Sequence, residues 1–367
     1  MGCEVLVASN AVSVIPSAFT RVSFDDPVAA AKRLLGEVGV VDGVVGTDGS
    51  AVAVAAEVAR LLDLSSNPAG ALVAAESKYL QRRAAEAAGV SQPAFALISG
   101  EAMPAWSTFP AVVKPMDRSA SQGVVRVDSP NQLHEAVTAV RAIIGRHAPL
   151  LVEAFVPGAE VAVEGLVRGG RLIVLAVFDK PDNPQGPTFP ETLLVSPARL
   201  APQALSRLTE AAQRAVAAVG LVEGPVHVEC KVDDVDVWFL ELAARTIGGL
   251  CSRALNRGGM SLEELVIRHA LGLPTPPRTP DAAATGVLML PVDETGWLDA
   301  VGGVDAARAV DGVTDVVISV GAGERVVALP AGDRYLGFVF ARAGTADQVE
   351  AALRAAWASI KIEITAS

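Results

Sequence analysis

Apolar residues in the N-terminal segment follow two different patterns, which predicts strands alternating with helices. Short apolar runs predict strands over residues 3–8 and 42–47. Apolar positions three or four residues apart predict helices over residues 27–38, preceded by Asp26, and 50–64. This β/α alternation is typical of a parallel sheet. A doubly wound domain usually has one more strand and helix before such a start, so the unit is expected to be truncated or unusually placed.

A long helix and then a strand-rich unit are predicted next. The helix is expected to begin with Asn67 as its N-cap and Pro68 at its first position, and to run to Ala88, before Gly89. The predicted strands are residues 109–115, 123–128, 150–156, 160–167, 171–178, 226–232 and 236–242, and the predicted helices are residues 131–144, 202–219 and 261–271.

A proline-rich run at residues 274–280 predicts a linker before a C-terminal unit. The chain is expected to comprise units of residues 1–73, 74–275 and 276–367. A second proline-rich loop, residues 180–190, is too polar for a core and is expected to line or cap a cleft. In the C-terminal unit the predicted strands are residues 286–290, 313–319, 325–329 and 337–341, and the predicted helix is residues 346–359.

Composition removes several classes of function. The net charge of −11 argues against a nucleic-acid partner, because phosphate backbones need a basic face. The three cysteines and four histidines show neither disulfide nor zinc spacing. No apolar run approaches the length of a membrane span, and no leader pattern is visible. We therefore expect a cytoplasmic protein without a membrane or nucleic-acid partner.

Two carboxylates form the strongest local pattern. Glu229 and Glu241 lie at equal distances from a turn near residue 235. In a symmetric hairpin they are cross-strand partners with Cβ atoms ~5 Å apart. Such a pair is stabilised by a hard cation, and Mg²⁺ prefers carboxylate and phosphate oxygens. The alternative is a pair of solvated glutamates, which the apolar neighbours Val228 and Phe239 disfavour.

Two further segments are informative only in combination. An apolar strand delivers Lys114 beside a small hydroxyl-rich loop that contains Ser119 and Ser121 and ends at Gly123. Such loops offer backbone N–H groups and hydroxyls to phosphates, although the order of a P-loop is absent. A second apolar strand, residues 151–156, ends in a Pro-Gly turn before the next hairpin and by itself predicts nothing more.

The order of these segments resembles the ATP-grasp superfamily over residues 70 to 275. This resemblance implies an ATP-grasp fold of mixed α/β and α+β class, with an N-terminal Rossmann-like (pre-ATP-grasp) domain, a lid at about residues 109–153 and a C-terminal α+β domain. The segments that carry it are Ser77-Lys78, Gly89-Val90, Lys114-Pro115, the Ser119–Gly123 loop, Glu153-Ala-Phe-Val156, Glu160, Glu229 and Glu241-Leu-Ala-Ala-Arg245.

The resemblance also implies roles by position. Lys78 and Lys114 would contact the ATP phosphates, and Arg245 would stabilise charge on an acyl phosphate. Mg²⁺, or Mn²⁺ in its place, would bind Glu229 and Glu241. The family often has an asparagine ligand two residues later, where this chain has Ala243, so a two-metal site is in doubt. The remaining nucleotide-binding positions are Ser119, Ser121 and Gly123 in the lid loop, Glu153, Phe155 and Val156 at the adenine, and Glu160 at the ribose.

Within the superfamily, the chain resembles the L-amino-acid ligase and carnosine-synthase-like branch. Gly248 and Gly249 match a loop that would hold a carboxylate, and Glu191 matches a residue that would hold an ammonium group. His227 points to the same face as Glu229 and either lines the site or is a satisfied core histidine. A histidine common in this branch is replaced by Leu194, so the first substrate need not be a standard α-amino acid.

The function implied is an ADP-forming ligase that joins a small-molecule carboxylate to an amine through an acyl phosphate, with a homodimer as the expected assembly. Two alternatives stay open: another ATP-grasp reaction, such as a carboxylation or a purine-pathway ligation, and a non-catalytic nucleotide-binding module. A Rossmann dehydrogenase is excluded because the first β/α region lacks GxGxxG.

Overall fold

The computed structural model describes residues 2–10, 19–255, 260–274 and 283–366. Residues 275–280 of the predicted linker, and with them the predicted boundary between the central and C-terminal units, lie outside these ranges. In the described part the strands form sheets of two, three, four and eight strands. Among the helices of that part, none combines the length and apolar composition that crossing a bilayer requires.

The N-terminal unit is small. Its strands β1 (Val7–Ser9) and β2 (Phe19–Arg21) pair in parallel, and it contains helices α1 (Pro27–Val38) and α2 (Gly49–Leu61). Asp26 caps α1 as the sequence indicates, because its carboxylate accepts hydrogen bonds from the first-turn amides. The predicted strand at residues 42–47 is wrong. That segment packs against α2, and a Cβ on Gly46 would lie 2.5 Å from the Cα of Val52.

The predicted helix over residues 67–88 is two helices, α3 (Ala69–Ala75) and α4 (Lys78–Ala87). Ser77 separates them and caps α4, which places Lys78 at the first position of the second helix. Asn67 is not the predicted N-cap, because its side chain is used elsewhere. Its amide donates to the carbonyl of Glu223 at 2.6 Å and accepts from the amide of the same residue at 2.9 Å.

A four-stranded antiparallel sheet, which we name the lid sheet, spans residues 95–154 and includes the segment predicted to be a lid. Helix α5 (Pro130–Ile144) covers one face with buried residues such as Leu133, Val137 and Val140. The strand order is β3–β6–β4–β5, and β3 was not predicted. The strands are β3 (Phe95–Ile98), β4 (Ala111–Pro115), β5 (Val125–Val127) and β6 (Leu150–Ala154).

Two antiparallel hairpins begin the eight-stranded sheet, and both match the predicted ones closely. An additional short strand, β9, follows the proline-rich loop and was not predicted. The elements of this part are β7 (Ala159–Arg168), β8 (Arg171–Asp179), β9 (Leu193–Ser196), α6 (Pro202–Val219), β10 (Glu223–Val232), β11 (Val237–Ala243), a 3₁₀ turn (Cys251–Leu255) and α7 (Leu262–Ala270).

The C-terminal unit has a capped final helix and two strands that were not predicted, β13 and β17. The capping box of Thr345 and Gln348 fixes the start of the last helix. The elements are β12 (Ala284–Leu290), β13 (Gly296–Gly302), α8 (Val304–Arg308), β14 (Val313–Ile318), β15 (Arg325–Val326), β16 (Gly337–Ala343), α9 (Ala346–Ser359) and β17 (Lys361–Ala366).

One sheet joins the central and C-terminal units. Its order is β11–β10–β7–β8–β9–β12–β16–β14, and the junction is the antiparallel pair of β9 and β12, with Leu194 opposite Val287. Helix α6 buries Leu208 and Val216 in the adjoining core, each contributing roughly 1.5–3 kcal/mol of burial free energy. Residues of both units can therefore face one cavity.

Candidate active site

A cavity of about 470 Å³ lies between the lid sheet, the eight-stranded sheet and the C-terminal unit. All but one of the predicted site residues line it. The exception is Gly123, which is buried beside it. The lining residues that were predicted are Lys78, Lys114, Ser119, Ser121, Glu153, Phe155, Val156, Glu160, Glu191, His227, Glu229, Glu241, Arg245, Gly248 and Gly249.

The two predicted metal-binding carboxylates are paired as expected. Glu229 and Glu241 are direct cross-strand partners in β10 and β11, and a bulge follows Glu229. Each carboxylate meets an ammonium group in this structure. Lys78 Nζ lies 3.0 Å from Glu241 Oε2, and Lys180 Nζ lies 2.9 Å from Glu229 Oε1.

Lys180 is a functional candidate that the sequence interpretation missed. Its ammonium group is buried and contacts Glu160 at 2.9 Å, Glu191 at 2.5 Å and Glu229 at 2.9 Å. Burial alone would lower the pKa of this lysine, but the three carboxylates outweigh burial and raise it. A lysine directly after a buried strand, at the mouth of a polar loop, is the signal that could have identified it.

The carboxylates fit a hard divalent cation. Oxygens of Glu160, Glu191 and Glu229 lie within 4.8 Å of one another. Burial would raise the pKa of Glu229, but Lys180 and His227 outweigh burial and hold it well below its usual range. Glu229 is therefore an ionised carboxylate, a kind of group that Mg²⁺ prefers. The side chain of Ala243 has no atom that could bind a metal, so the side-chain ligand missing from the sequence is also missing from the site.

His227 connects β10 to the loop after β11. One ring nitrogen contacts Glu164, and the other lies 3.0 Å from Glu229 Oε1. Glu164 also accepts a hydrogen bond from the amide of Ile247 at 3.1 Å. Burial lowers the pKa of His227, but the two carboxylates outweigh it and raise the pKa to about 10. The imidazolium thus lines the cavity while both of its nitrogens are engaged by protein carboxylates.

A second buried network lies below the lid sheet. Glu153 accepts from Arg82 Nε at 2.7 Å and pairs with Lys114 Nζ at 2.7 Å. Burial would raise the pKa of Glu153, but these two cations outweigh it and lower the pKa. Arg82 also donates to the carbonyl of Phe239 at 3.2 Å. Arg82 was not predicted, because nothing in α4 distinguishes it from its neighbour Arg83.

Replacing Arg82 by methionine should lower the free energy of unfolding by about 3 kcal/mol. This loss is at the lower end of the range for breaking a buried ion pair, because Lys114 remains beside Glu153 and still neutralises its charge. Arg83→Met is a matched control on the same helix. Its side chain is 61% exposed and its ion pair with Glu86 is 3.5 Å long, so the loss should stay within ~1 kcal/mol. Urea denaturation measures both, and equal small losses would contradict a structural role for Arg82.

Aromatic rings and cations form the end of the cavity nearest the β6–β7 turn. Phe155 stacks on Phe189 of the proline-rich loop with ring centres 6.4 Å apart. The guanidinium of Arg126 and the ammonium of Lys231 lie 4.8 Å and 4.5 Å from the centre of the Phe155 ring. The loop thus caps the cleft, as its composition indicates.

The loop after β11 combines a cation with a close backbone approach. Arg245 donates to the carbonyl of Thr246 at 2.8 Å and lines the cavity with Gly248 and Gly249. Gly249 has a φ of +61°, and a Cβ there would lie 3.0 Å from the ring of Phe338. A larger residue would therefore strain the backbone and displace the ring. Cys251 is buried, which raises its thiol pKa and favours a packing role.

The C-terminal unit completes the cavity, and the sequence interpretation missed this contribution. The hydroxyl of Tyr335 donates to Glu191 Oε2 at 3.4 Å, and Phe338 and Met289 form an apolar wall beside Leu194. Burial raises the pKa of Glu191. The charge of Lys180 opposes this rise, and the charge of Glu229 adds to it. The site therefore places a partly buried carboxylate next to an apolar surface.

Comparison with known proteins agrees with this architecture. The ATP-grasp domain family matches residues 107–254, and the L-amino acid ligase C-terminal domain 2 family matches residues 288–365. The crystal structure of L-amino acid ligase from Bacillus licheniformis is 25% identical, with a TM-score of 0.81, over 95% of this chain and 88% of that one.

Relatives of known sequence are longer than this chain. An uncharacterised protein of Sinorhizobium fredii, y4rH, is 27% identical over 68% of this chain and 53% of its own length. Human carnosine synthase 1 is 31% identical over 46% of this chain and 22% of its own length. The chain thus spans about half, or less, of these curated relatives.

Proposed function

Because the chain belongs to the ATP-grasp superfamily, we propose that it is an ADP-forming ligase that joins a carboxylate to an amine. One observation carries the proposal. The paired carboxylates Glu229 and Glu241, the cations Lys78 and Lys114, and Arg245 all face a single cavity. Phosphoryl transfer needs this combination of positioning and charge neutralisation, and little other chemistry from the protein.

ATP would lie between the lid sheet and the hairpin of β10 and β11. Lys78 and Lys114 would neutralise its phosphates, and the lid loop, with Ser119, Ser121 and Gly123, would close over the γ-phosphate. Burial lowers the pKa of Lys114, so an added phosphate charge would stabilise its protonated form. Glu153 and Val156 would offer backbone groups to adenine beside Phe155, and Glu160 would bind the ribose.

Glu229 and Glu241 would hold Mg²⁺, or Mn²⁺ in its place. The cation, when bound, supplies charge neutralisation at the phosphates. Lys78, which contacts Glu241 here, would then be available to the nucleotide. Lys180 would hold Glu160, Glu191 and Glu229 close together, as its three contacts indicate.

The reaction would proceed in two steps. A carboxylate oxygen of the first substrate attacks the γ-phosphorus, the bond to the β-phosphate oxygen breaks, and ADP leaves. The nitrogen of the amine then attacks the acyl carbon, loses a proton, and phosphate leaves as the amide forms. Arg245 would stabilise the negative charge in both steps, since its guanidinium stays ionised and donates two parallel hydrogen bonds.

The substrate side favours an amino acid with an apolar body. Glu191 would bind an ammonium group, and the amides of Gly248 and Gly249 would bind a carboxylate. Leu194 and Phe338 contribute apolar surface where a histidine would add a polar contact. A substrate whose amino group lies farther from its carboxylate than in an α-amino acid fits the sequence departure at residue 194.

The decisive experiment is a screen of paired carboxylates and amines for release of ADP and phosphate in the presence of MgATP. A ligase requires both partners and forms one amide for each ADP. Turnover with bicarbonate or a purine-pathway amine would favour another ATP-grasp reaction. ATP binding without ADP release for any pair would favour the non-catalytic module, to which the absent ligand at Ala243 points.

A further inference from the structure

We propose that Gln122 is a positioning residue that latches the lid loop onto the C-terminal unit and so keeps water away from the reacting carbon. This inference rests on the proposed function, because it concerns an acyl phosphate formed in the cavity. Gln122 itself does not line that cavity, and its action would be exerted through the loop that carries Ser119 and Ser121.

Two hydrogen bonds join the lid loop to a turn more than 200 residues away. Gln122 Nε2 donates to the carbonyl of Ala331 at 2.8 Å. The amide of Gly123 donates to the carbonyl of Pro330 at 2.7 Å. Both distances are those of good hydrogen bonds, and both acceptors belong to the C-terminal unit.

The turn that receives these bonds is rigid. Amides of Ala331 and Gly332 donate back to the carbonyl of Ala328, at 3.2 Å and 2.9 Å. Ala328 is itself held by the hydroxyl of Thr295 at 3.0 Å. A Cβ on Gly332 would lie 1.9 Å from the carbonyl oxygen of Val327, so only glycine fits this turn. The two carbonyls are therefore held in place by contacts within the C-terminal unit itself.

The lid loop, in contrast, adopts a costly conformation. Ala120 and Ser121 have φ values of 51° and 56°, in the left-handed region that non-glycine residues rarely adopt. Such strain persists only where surrounding contacts hold it. One end of the loop is held by Lys78, which donates to the carbonyl of Arg118 at 2.7 Å, and the other end by the latch. Breaking either contact should favour an open loop.

The same turn reaches the substrate side of the cavity. Five residues after Pro330, Tyr335 contacts Glu191, and the amide of Leu336 donates to the carbonyl of Leu290 in β12. The segment that holds the lid is thus continuous with the segment that faces the proposed amine-binding carboxylate. A closed lid and an ordered amine site would be coupled, and water would be excluded while the acyl phosphate waits for the amine.

Hydrogen exchange tests the latch without knowledge of the substrates. With a non-hydrolysable ATP analogue and Mg²⁺, amides in residues 119–124 and 328–336 should exchange more slowly in the wild-type protein. In Gln122→Ala, exchange in both segments should be about three- to tenfold faster than in the wild type with the analogue, the effect of one lost hydrogen bond. Gln122→Glu, which keeps the size but cannot donate to a carbonyl, should behave in the same way.

Gln213→Ala is the matched control. Gln213 also ties two segments together, donating to the carbonyl of Gly170 at 3.0 Å and accepting from the amide of Leu172 at 2.8 Å, but far from the lid. Exchange in the two test segments should match the wild type. If the analogue protects the lid equally in Gln122→Ala and in the wild type, the latch is disproved. If it protects no segment at all, the proposed ATP-binding function fails instead.

With an active substrate pair, the ratio of phosphate released to amide formed provides a second measurement. The wild-type ratio should be near one, and Gln122→Ala should raise it severalfold, because water then competes with the amine for the acyl phosphate. A lower rate with an unchanged ratio would overturn the proposed protection from water.

Discussion

Glu229→Gln should lower the turnover number for ADP release by about 100- to 1,000-fold while leaving the fold intact. The substitution removes one negative charge from the pair that Glu229 forms with Glu241 and weakens its affinity for a divalent cation. Loss of a single charge-stabilising group at a reacting centre typically has this size. The amide oxygen can still accept from Lys180 and His227, so thermal stability should change little. Steady-state kinetics at several Mg²⁺ concentrations measures the effect.

Glu223→Gln is the control for this substitution. Glu223 lies on the same strand and contacts His269 at 2.6 Å, outside the cavity. Its turnover should stay within about twofold of the wild type, as surface polar changes usually do. Glu241→Gln should behave like Glu229→Gln. Near-wild-type turnover in either cavity variant would refute the metal assignment. So would a loss of turnover that added Mg²⁺ or Mn²⁺ does not change, if the variant also binds the metal as tightly as the wild type.

The parts of the site that the sequence predicted are those whose geometry is local. Glu229 and Glu241 are equidistant from a turn near residue 235 and are cross-strand partners as predicted, although the pairs nearer the turn are shifted by one residue and a bulge after Glu229 restores the predicted register. The positions of Lys114 and Glu160 relative to their strands were likewise predictable. The roles proposed for these residues rest on the resemblance to a family.

The parts that the sequence did not predict depend on partners far along the chain. Lys180 is held by carboxylates on β7, just before β9 and on β10. Arg82 is held by Glu153, 71 residues away. Asn67 has the ideal residue type for an N-cap, yet the backbone of Glu223 satisfies its amide better. Tyr335 reaches Glu191 only because β9 pairs with β12 across the two units. Periodicity and local propensity contain none of this information.

Arg245→Met should reduce kcat by at least ~100-fold with little change in ATP affinity. The guanidinium lines the cavity just after β11, and its Nη1 donates a hydrogen bond to the carbonyl of Thr246 at 2.8 Å. Most of its donors can therefore point toward a phosphoryl or acyl oxygen. A donor that strengthens as charge develops contributes to kcat, whereas Lys78 and Lys114 would still hold the nucleotide. Arg245→Lys should rescue little activity, because an ammonium group lacks the planar fork.

The alternative is that Arg245 only neutralises a nearby carboxylate. Burial raises the pKa of Glu76, and Arg245 opposes that rise, so a structural role for the cation is a real competitor. Arg253→Met is the control for this alternative. Arg253 forms an ion pair with Asp315 at 2.6 Å, its side chain is 40% exposed, and it does not line the cavity. An exposed pair of this kind contributes at most ~1 kcal/mol, and kcat should not respond to its loss.

The two roles differ in the kinetic constant that they affect. A charge-neutralising role predicts that Arg245→Met and Arg253→Met both lower stability slightly and leave kcat near the wild-type value. A transition-state role predicts a large loss of kcat for Arg245→Met alone, with an unchanged Kd for an ATP analogue. An unaltered kcat with weaker ATP binding would place Arg245 on the nucleotide. In that case the charge on the acyl phosphate would have to be stabilised by the lysines, and the division of labour proposed for the cavity would be wrong.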